Sequence, residues 1–164
     1  MPRAKRIYLY KFSELSDKAK QRALDHCRYW NVDHDWWDLT YEDAKTIGLE
    51  LTGFDEYYAQ GELCTTVAES CRLILKNHGK ACETYKLAKE YRKLMAADHV
   101  TQRCLTPEYE YEESEELKEK YLKELLKLYK KMLDEEYEYL TSDEAIIESL
   151  EANEVEFDEQ GREA

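Results

Sequence analysis

Long apolar runs, glycine and proline are all scarce in this sequence of 164 residues, which has five glycines and two prolines. No window approaches about 18 consecutive apolar residues, so no membrane-spanning segment is expected. Residues 1–12 carry bases without a long apolar core or a small-residue cleavage site, which argues against a signal peptide and predicts a cytoplasmic location. Neither an internal repeat nor a low-complexity linker is visible. The simplest account is a single domain over 1–164 with a flexible tail at 159–164.

Paired cysteines are also missing. The number of cysteines is odd and no two stand in a CxxC spacing, so neither a disulfide framework nor a zinc ribbon is indicated. Without an export signal, we interpret them as reduced thiols that mostly pack as small apolar side chains, in preference to a reactive or metal-bound role. They are Cys27, Cys64, Cys71, Cys82 and Cys104.

Catalytic motifs are absent as well, since the sequence has no GxSxG, no phosphate-binding glycine loop and no ordered metal-ligand spacing. Asp33, His34 and Asp35 could hold a metal or move protons, although a helix-capping turn is the favoured interpretation. His78 and Cys82 could act as base and nucleophile, although a structural role at a helix end is favoured. The sequence therefore predicts no catalytic, cofactor-binding or metal-binding residue, and a protein that is not an enzyme.

Positive charge is in deficit, with 24 bases against 37 acids and a formal net charge of −13. This balance argues against direct binding to DNA or RNA, whose phosphates require a basic surface. The acids are concentrated: residues 106–116 hold six glutamates and no base, and residues 134–164 hold thirteen acids and one base. Because the rest of the chain is net positive, the acidity is concentrated, and it bears on association and solubility rather than on the fold.

The hydrophobic pattern predicts an α+β fold that is predominantly helical, with about six helices and a small two- or three-stranded sheet. Strands are expected at 7–12, 49–54 and 155–157, with loops at 55–61 and 99–114. Gly79 is expected to be the left-handed cap of the third helix. The expected helices cover about 16–30, Asp33 or Asp35 to Gly48, 62–78, 80–98, 115–139 and 141–151, the last with Thr141 and Glu144 as a capping box.

Two of these helices carry apolar stripes that predict their buried faces. The helix at 80–98 is expected to bury Tyr85, Ala88, the aliphatic stem of Arg92 and Met95. The longest helix has its main apolar stripe at Leu117, Tyr121, Leu125, Leu128 and Met132.

Two segments alternate tyrosine with glutamate, in a chain that has 14 tyrosines. Tyrosine provides large, rigid contact area and is enriched at interfaces, and neighbouring carboxylates would complement arginine and lysine on a partner. A solvated acidic face with tyrosine rings folded onto the core is the alternative, and it stays open. The predicted partner-binding residues are Glu108, Tyr109, Glu110, Tyr111, Glu112, Glu113, Glu136, Tyr137, Glu138, Tyr139, Asp143 and Glu144.

Five segments of the chain resemble a family of uncharacterised proteins encoded by bacteriophages and prophages, some of which carry a loose antitoxin-like label. The segments are FSELSDKAKQRAL, WWDLTYEDAKTIG, FDEYYAQG, ILKNHGKACETY and EYEYLTSDEAIIESLEANEVEF. The resemblance covers about 12–90 and 133–160, and its C-terminal string is the most specific part. It implies a mobile-element protein in the host-cell cytoplasm, and it implies no reaction and no catalytic residues.

These observations predict a non-catalytic phage or prophage accessory protein that binds a basic or nucleic-acid-binding host protein. In its concrete form, the protein inhibits a defence nuclease or its guide-RNA complex by imitating nucleic acid, as anti-CRISPR or anti-restriction proteins do. Two alternatives remain, namely an antitoxin-like module that sequesters a toxin and, less favoured, a small metal-dependent or Cys/His-dependent enzyme. No membrane and no direct nucleic-acid partner are expected.

Overall fold

The computed structural model describes residues 1–105, 108 and 110–164. Across these residues the chain forms six α-helices and two antiparallel pairs of strands and is 59% helical, which confirms the predominantly helical α+β prediction. The residues group into two compact units, unit 1 (Met1–Trp36 and Asp134–Ala164) and unit 2 (Trp37–Leu133). None of the helices within the described ranges has an apolar stretch long enough to cross a bilayer.

Unit 1 contains strands β1 (Tyr10–Lys11) and β4 (Glu156–Phe157), helices α1 (Asp17–His26) and α6 (Asp143–Ala152), and the C-terminal end of helix α5 (Glu115–Leu140). Ser16 begins α1 by accepting a hydrogen bond from the Ala19 amide, as a serine N-cap does. The core of the unit joins α1, α6 and β4. Its buried side chains are Phe12, Leu15, Ala19, Ala23, Leu24, Cys27, Ile146, Leu150 and Phe157.

The first strand is shorter than predicted, because its partner offers only two residues. Tyr10 pairs with Phe157 and Lys11 with Glu156. Beyond Phe157 the chain turns at Asp158, whose carboxylate accepts hydrogen bonds from the backbone amides of Gln160 and Arg162, both at 2.9 Å. The apolar residues at 7–9 therefore have no strand to pair with and stay exposed.

Residues 159–164, for which the sequence predicts a flexible tail, return to β4. Glu163 forms a bridge with Phe157, and the Ala164 amide donates to the Glu156 carbonyl at 3.0 Å. Gly161 lies at φ +81° and approaches the backbone of Ala19 on α1. The end of the chain thereby closes one side of unit 1.

Unit 2 contains helices α2 (Asp38–Thr46), α3 (Val67–Asn77) and α4 (Glu83–Leu105), strands β2 (Leu49–Phe54) and β3 (Ala59–Leu63), and α5 as far as Leu133. A single buried cluster joins these elements. Its largest fully buried members include Ile47, Leu49, Ile74, Tyr91, Tyr121, Leu125 and Tyr129.

The predicted loop at 55–61 and the predicted start of a helix at Glu62 are wrong, because β3 occupies Ala59–Leu63 and pairs with β2. The composition of β3 gives little strand signal, so its partner decides its conformation. Gly61 makes that pairing possible, since a Cβ atom there would lie 2.6 Å from the Glu50 carbonyl oxygen. Helix α3 begins later than predicted, at Val67, where the Thr66 side chain accepts from the Glu69 amide.

Other helix ends also differ from the sequence prediction. Helix α1 ends at His26 and not near residue 30, and α4 begins at Glu83 and not at 80. Helix α2 begins at Asp38 without a side-chain cap, so neither Asp33 nor Asp35 caps it. Gly79 is not in the left-handed region, because α3 ends in an extended residue at His78. Helix α6 is capped by Ser142, whose hydroxyl accepts from the Ala145 amide, one residue later than predicted.

Helix α4 continues to Leu105, so part of the predicted loop at 99–114 is helical. Its buried face includes Leu87 and Tyr91 together with the predicted Ala88 and Met95, whereas Arg92 is exposed. Helix α5 ends within one residue of its prediction.

Candidate functional site

The acidic segment of unit 2 is partly committed to the fold. The Glu113 carboxylate accepts hydrogen bonds from the amides of Val67 and Ala68, at 2.8 and 2.9 Å, and so caps the N-terminus of α3. The Tyr111 ring packs edge-on against His99 with a centroid separation of 5.3 Å, and its hydroxyl donates to Asp98. These two predicted partner-binding residues thus have structural roles.

The other predicted residues of this segment divide by exposure. Glu108, Glu110 and Glu112 are exposed. Tyr109 lies outside the described residues. The side chains from 110 to 113 alternate between exposed and half-buried.

A second acidic segment occupies the end of α5 in unit 1, and we name it the α5 acidic end (Glu135, Glu136, Tyr137, Glu138 and Tyr139). All five side chains are exposed. The exposed fractions of Tyr137 and Tyr139 are 39% and 50%. The Tyr137 ring packs against Trp36 with a centroid separation of 5.6 Å, so one tyrosine has a fixed position.

The position of these carboxylates opposes the electrostatics of the helix. The C-terminal end of a helix carries the negative end of its dipole, where acids are unfavourable and bases are stabilising. Helix α5 nevertheless has acids at Glu135, Glu136 and Glu138 and no base in its last turn. Packing does not require them, because the side chains are exposed. Acids that oppose the helix dipole and contribute nothing to packing are typical of a functional surface.

Side chains from residues 28–31 hold the junction between α5 and α6. Arg28 donates to the Thr141 carbonyl at 3.0 Å and pairs with Asp143 at 2.5 Å. Asn31 donates to the Leu140 carbonyl at 3.0 Å. The free carbonyls at the end of α5 are therefore satisfied, and the acidic end is held on an ordered helix. Of the two predicted residues on α6, Asp143 is paired with Arg28 and Glu144 is exposed.

The residues considered for metal binding or proton transfer do not form a cluster. Asp33, His34 and Asp35 are all exposed, in the turn before α2. Within the described ranges, no group of three histidine, cysteine, aspartate or glutamate side chains is arranged to hold a metal ion.

His78, considered with Cys82 as a base and nucleophile pair, contacts Thr84 and Asp43. Its Nδ1 atom lies 2.6 Å from the Thr84 hydroxyl, and its Nε2 atom lies 3.3 Å from an Asp43 carboxylate oxygen, poorly aligned for a hydrogen bond. The Tyr129 hydroxyl donates to the same carboxylate at 2.7 Å. Carboxylate, imidazole and hydroxyl occur in the order of a hydrolase triad. Since Thr84 is fully buried, its hydroxyl has no access to a substrate, and the network is structural.

This network predicts a pH-dependent contribution to stability. His78 and the Tyr129 hydroxyl lower the pKa of Asp43 against the opposing effect of burial. A lowered pKa stabilises the fold above the unfolded-state value of 3.8, and that stability is lost as the pH falls through the native pKa. We expect Asp43→Asn to lower the free energy of unfolding at pH 7 by about 1 kcal/mol, a value reduced for the half-exposed carboxylate.

Urea unfolding of Asp43→Asn and wild type between pH 2 and 7 measures this effect. The difference in the free energy of unfolding between wild type and Asp43→Asn should be largest at pH 6–7. It should shrink below about pH 4, close to the ordinary pKa of aspartate. Glu42→Gln, exposed and in the middle of the same helix, is the control with little expected change. A difference that persists unchanged at pH 2 contradicts the role of the Asp43 charge.

The tip of the β2–β3 hairpin, within the predicted loop at 55–61, is an acidic aromatic segment. Tyr57 and Tyr58 are 73% and 72% exposed. The Asp55 carboxylate accepts hydrogen bonds from both of their amides at 2.7 Å, which holds the turn and lowers the pKa of Asp55. The string DEYY combines acids with adjacent tyrosines, so the same composition signal that marked the other two segments was present here.

Comparison with known proteins gives no match for the chain among family models, curated proteins or solved structures.

Proposed function

We propose that the protein is a non-catalytic binding protein whose α5 acidic end docks onto a basic, nucleic-acid-binding host protein. One observation carries the proposal: exposed carboxylates and tyrosines occupy the end of α5 where the helix dipole disfavours negative charge. Acids alone do not distinguish this end, because α6 also has acids and no base in its last turn. The exposed tyrosines that lie between the α5 carboxylates do, since α6 has no aromatic residue.

The chemistry of the α5 acidic end fits a partner rich in arginine and lysine. Carboxylates accept charge-assisted hydrogen bonds from guanidinium groups, and tyrosine rings offer them a face for stacking. The clustered negative charge would also accelerate association with a basic partner. Because Trp36 packs on Tyr137, part of this surface is ordered before binding, which reduces the entropy lost on docking.

Basic surfaces of this kind are typical of proteins that bind nucleic acid. We therefore extend the proposal to nucleic-acid mimicry, in which the acids occupy the groove that phosphates would otherwise fill. The resemblance to phage and prophage proteins favours a defence nuclease or its guide-RNA complex as the partner, encountered in the host-cell cytoplasm.

The test separates binding from stability with two variants of equal charge. Glu136→Gln/Glu138→Gln removes two carboxylates from the α5 acidic end, and Glu148→Gln/Glu151→Gln removes two exposed carboxylates from the corresponding half of α6. We expect the first variant to lose about tenfold in affinity for the partner while its thermal unfolding midpoint stays level or rises, because the dipole conflict is relieved. The α6 variant should keep its affinity.

Immobilised wild type and both variants are used to capture host proteins, which are then identified by mass spectrometry. The proposal requires a basic protein retained by wild type and by the α6 variant and depleted from the α5 variant. Duplex DNA or guide RNA added as competitor should release it if the acids imitate phosphates. Equal recovery of every captured protein by both variants contradicts the proposal.

A further inference from the structure

Unit 2 contains a cavity whose lining includes no residue of the α5 acidic end or of the His78 network. It has a volume of about 450 Å³ and lies between α3 and α4, with Tyr111 at one side. Its walls are Ala68, Arg72 and Leu75 on α3 and Arg92, Met95, Ala96 and His99 on α4. Volumes of this size are typical of small-molecule sites.

The sequence explains why the space is open. Ala68, Arg72 and Leu75 are spaced four and three residues apart, which places them on one face of α3. Arg92, Ala96 and His99 have the same spacing on α4. An alanine on each helix leaves room that a longer side chain would fill, while Leu75 and Met95 provide apolar surface. Most of the lining is therefore apolar, and both of its arginines are exposed.

The two arginines differ in what they bind. Arg72 donates to both oxygens of Glu69 and so has its own counterion. Arg92 is exposed, and its guanidinium makes no hydrogen bond or ion pair with the part of the chain that the structure describes. A guanidinium beside an apolar cavity and without a carboxylate partner leaves its bidentate donor face available to a ligand.

We propose that this cavity binds a small amphipathic carboxylic acid, with its aromatic or branched aliphatic body on Leu75, Met95 and Ala96 and its carboxylate on Arg92. An inorganic anion would leave the apolar lining unused, and a neutral hydrocarbon would leave Arg92 unpaired. The neighbouring carboxylates are already committed, because Glu69 holds Arg72 and Glu113 caps α3. This proposal does not depend on the proposed function.

The test titrates the full-length protein with 1-naphthoate and, separately, with the uncharged 1-naphthalenemethanol, followed by amide chemical shifts. We expect 1-naphthoate to perturb the amides of Ala68, Leu75 and Ala96 with a dissociation constant below about 1 mM, the value for thirteen heavy atoms at ordinary ligand efficiency. The alcohol should bind at least tenfold more weakly, because it cannot form the charge-assisted pair.

Three variants assign the contacts. Arg92→Gln should weaken 1-naphthoate binding about tenfold, whereas Lys93→Gln, the same charge change one residue along α4, should leave it unchanged. Ala96→Leu should abolish binding by filling the cavity while keeping both arginines. The proposal is overturned if the acid does not bind at 5 mM, if acid and alcohol bind equally, or if Arg92→Gln behaves as Lys93→Gln does.

Discussion

Replacing Gly161 by alanine is expected to lower the free energy of unfolding by about 3 kcal/mol, a large effect for one methyl group near the end of a chain. Gly161 lies at φ +81°, where an alanine costs about 1–2 kcal/mol. The added Cβ would also lie 2.1 Å from the Ala19 carbonyl oxygen, so the backbone of α1 or of the tail must move. Overpacking of this kind adds about 1–3 kcal/mol.

Gly79→Ala is the matched control, because its Cβ would meet nothing closer than 4.0 Å and its φ is not positive. Urea unfolding compares the two variants with wild type. Hydrogen exchange of the Ala164 amide, which donates to the Glu156 carbonyl, shows whether the tail has left β4. The expected result is lower stability together with faster exchange in Gly161→Ala.

The free energy of unfolding and the exchange rate of the Ala164 amide together distinguish the possible outcomes. If only the tail detaches, exchange of the Ala164 amide rises while α1 keeps its protection, and the contact of Gly161 with α1 is still demonstrated. If Gly161→Ala matches Gly79→Ala in both stability and exchange, the tail does not pack on α1 and the flexible tail predicted from its polarity is correct.

The elements that the sequence predicts well are those whose determinants are local. Helix α1 begins after Ser16, and α5 extends over a long periodic segment, so caps and spacing specify both. The sequence does not predict strand β3, because its pairing with β2 determines its conformation and its own composition does not. The conformation of the tail likewise depends on a tertiary contact, that of Gly161 with α1. From sequence, Gly161 is only a glycine in a polar segment.

The residues of the candidate site also differ in whether local sequence or a tertiary contact determines them. The α5 acidic end could be identified from sequence, because alternating tyrosine and glutamate are visible as letters and their exposure follows from the helix. The role of Glu113 could not, because the α3 amides that it caps lie 45 and 46 residues earlier in the chain. The cavity at Arg92 was also hidden, since it requires two helix faces to meet and the sequence assigned Arg92 to the buried stripe of α4.

The buried face of α5 offers the second large effect. The sequence places Leu125 and Leu128 in one apolar stripe, so truncating either should cost about the same. In the structure Leu125 is fully buried with Tyr121 and Tyr129 in the core of unit 2, whereas Leu128 is half-buried at the edge of that core. The difference arises because the core follows residues four apart, 121, 125 and 129, and Leu128 lies one position off that line.

We expect Leu125→Ala to lower the free energy of unfolding by about 3–4 kcal/mol and Leu128→Ala by about 1 kcal/mol, because the cost of truncation grows with the cavity that is left. Both changes remove the same atoms from the same helix one turn apart, so helix propensity cancels in the comparison. Urea unfolding followed by circular dichroism at 222 nm measures both. Equal losses would favour the broader stripe predicted from sequence over the tyrosine-lined face, because only that face makes Leu125 the more costly residue to truncate.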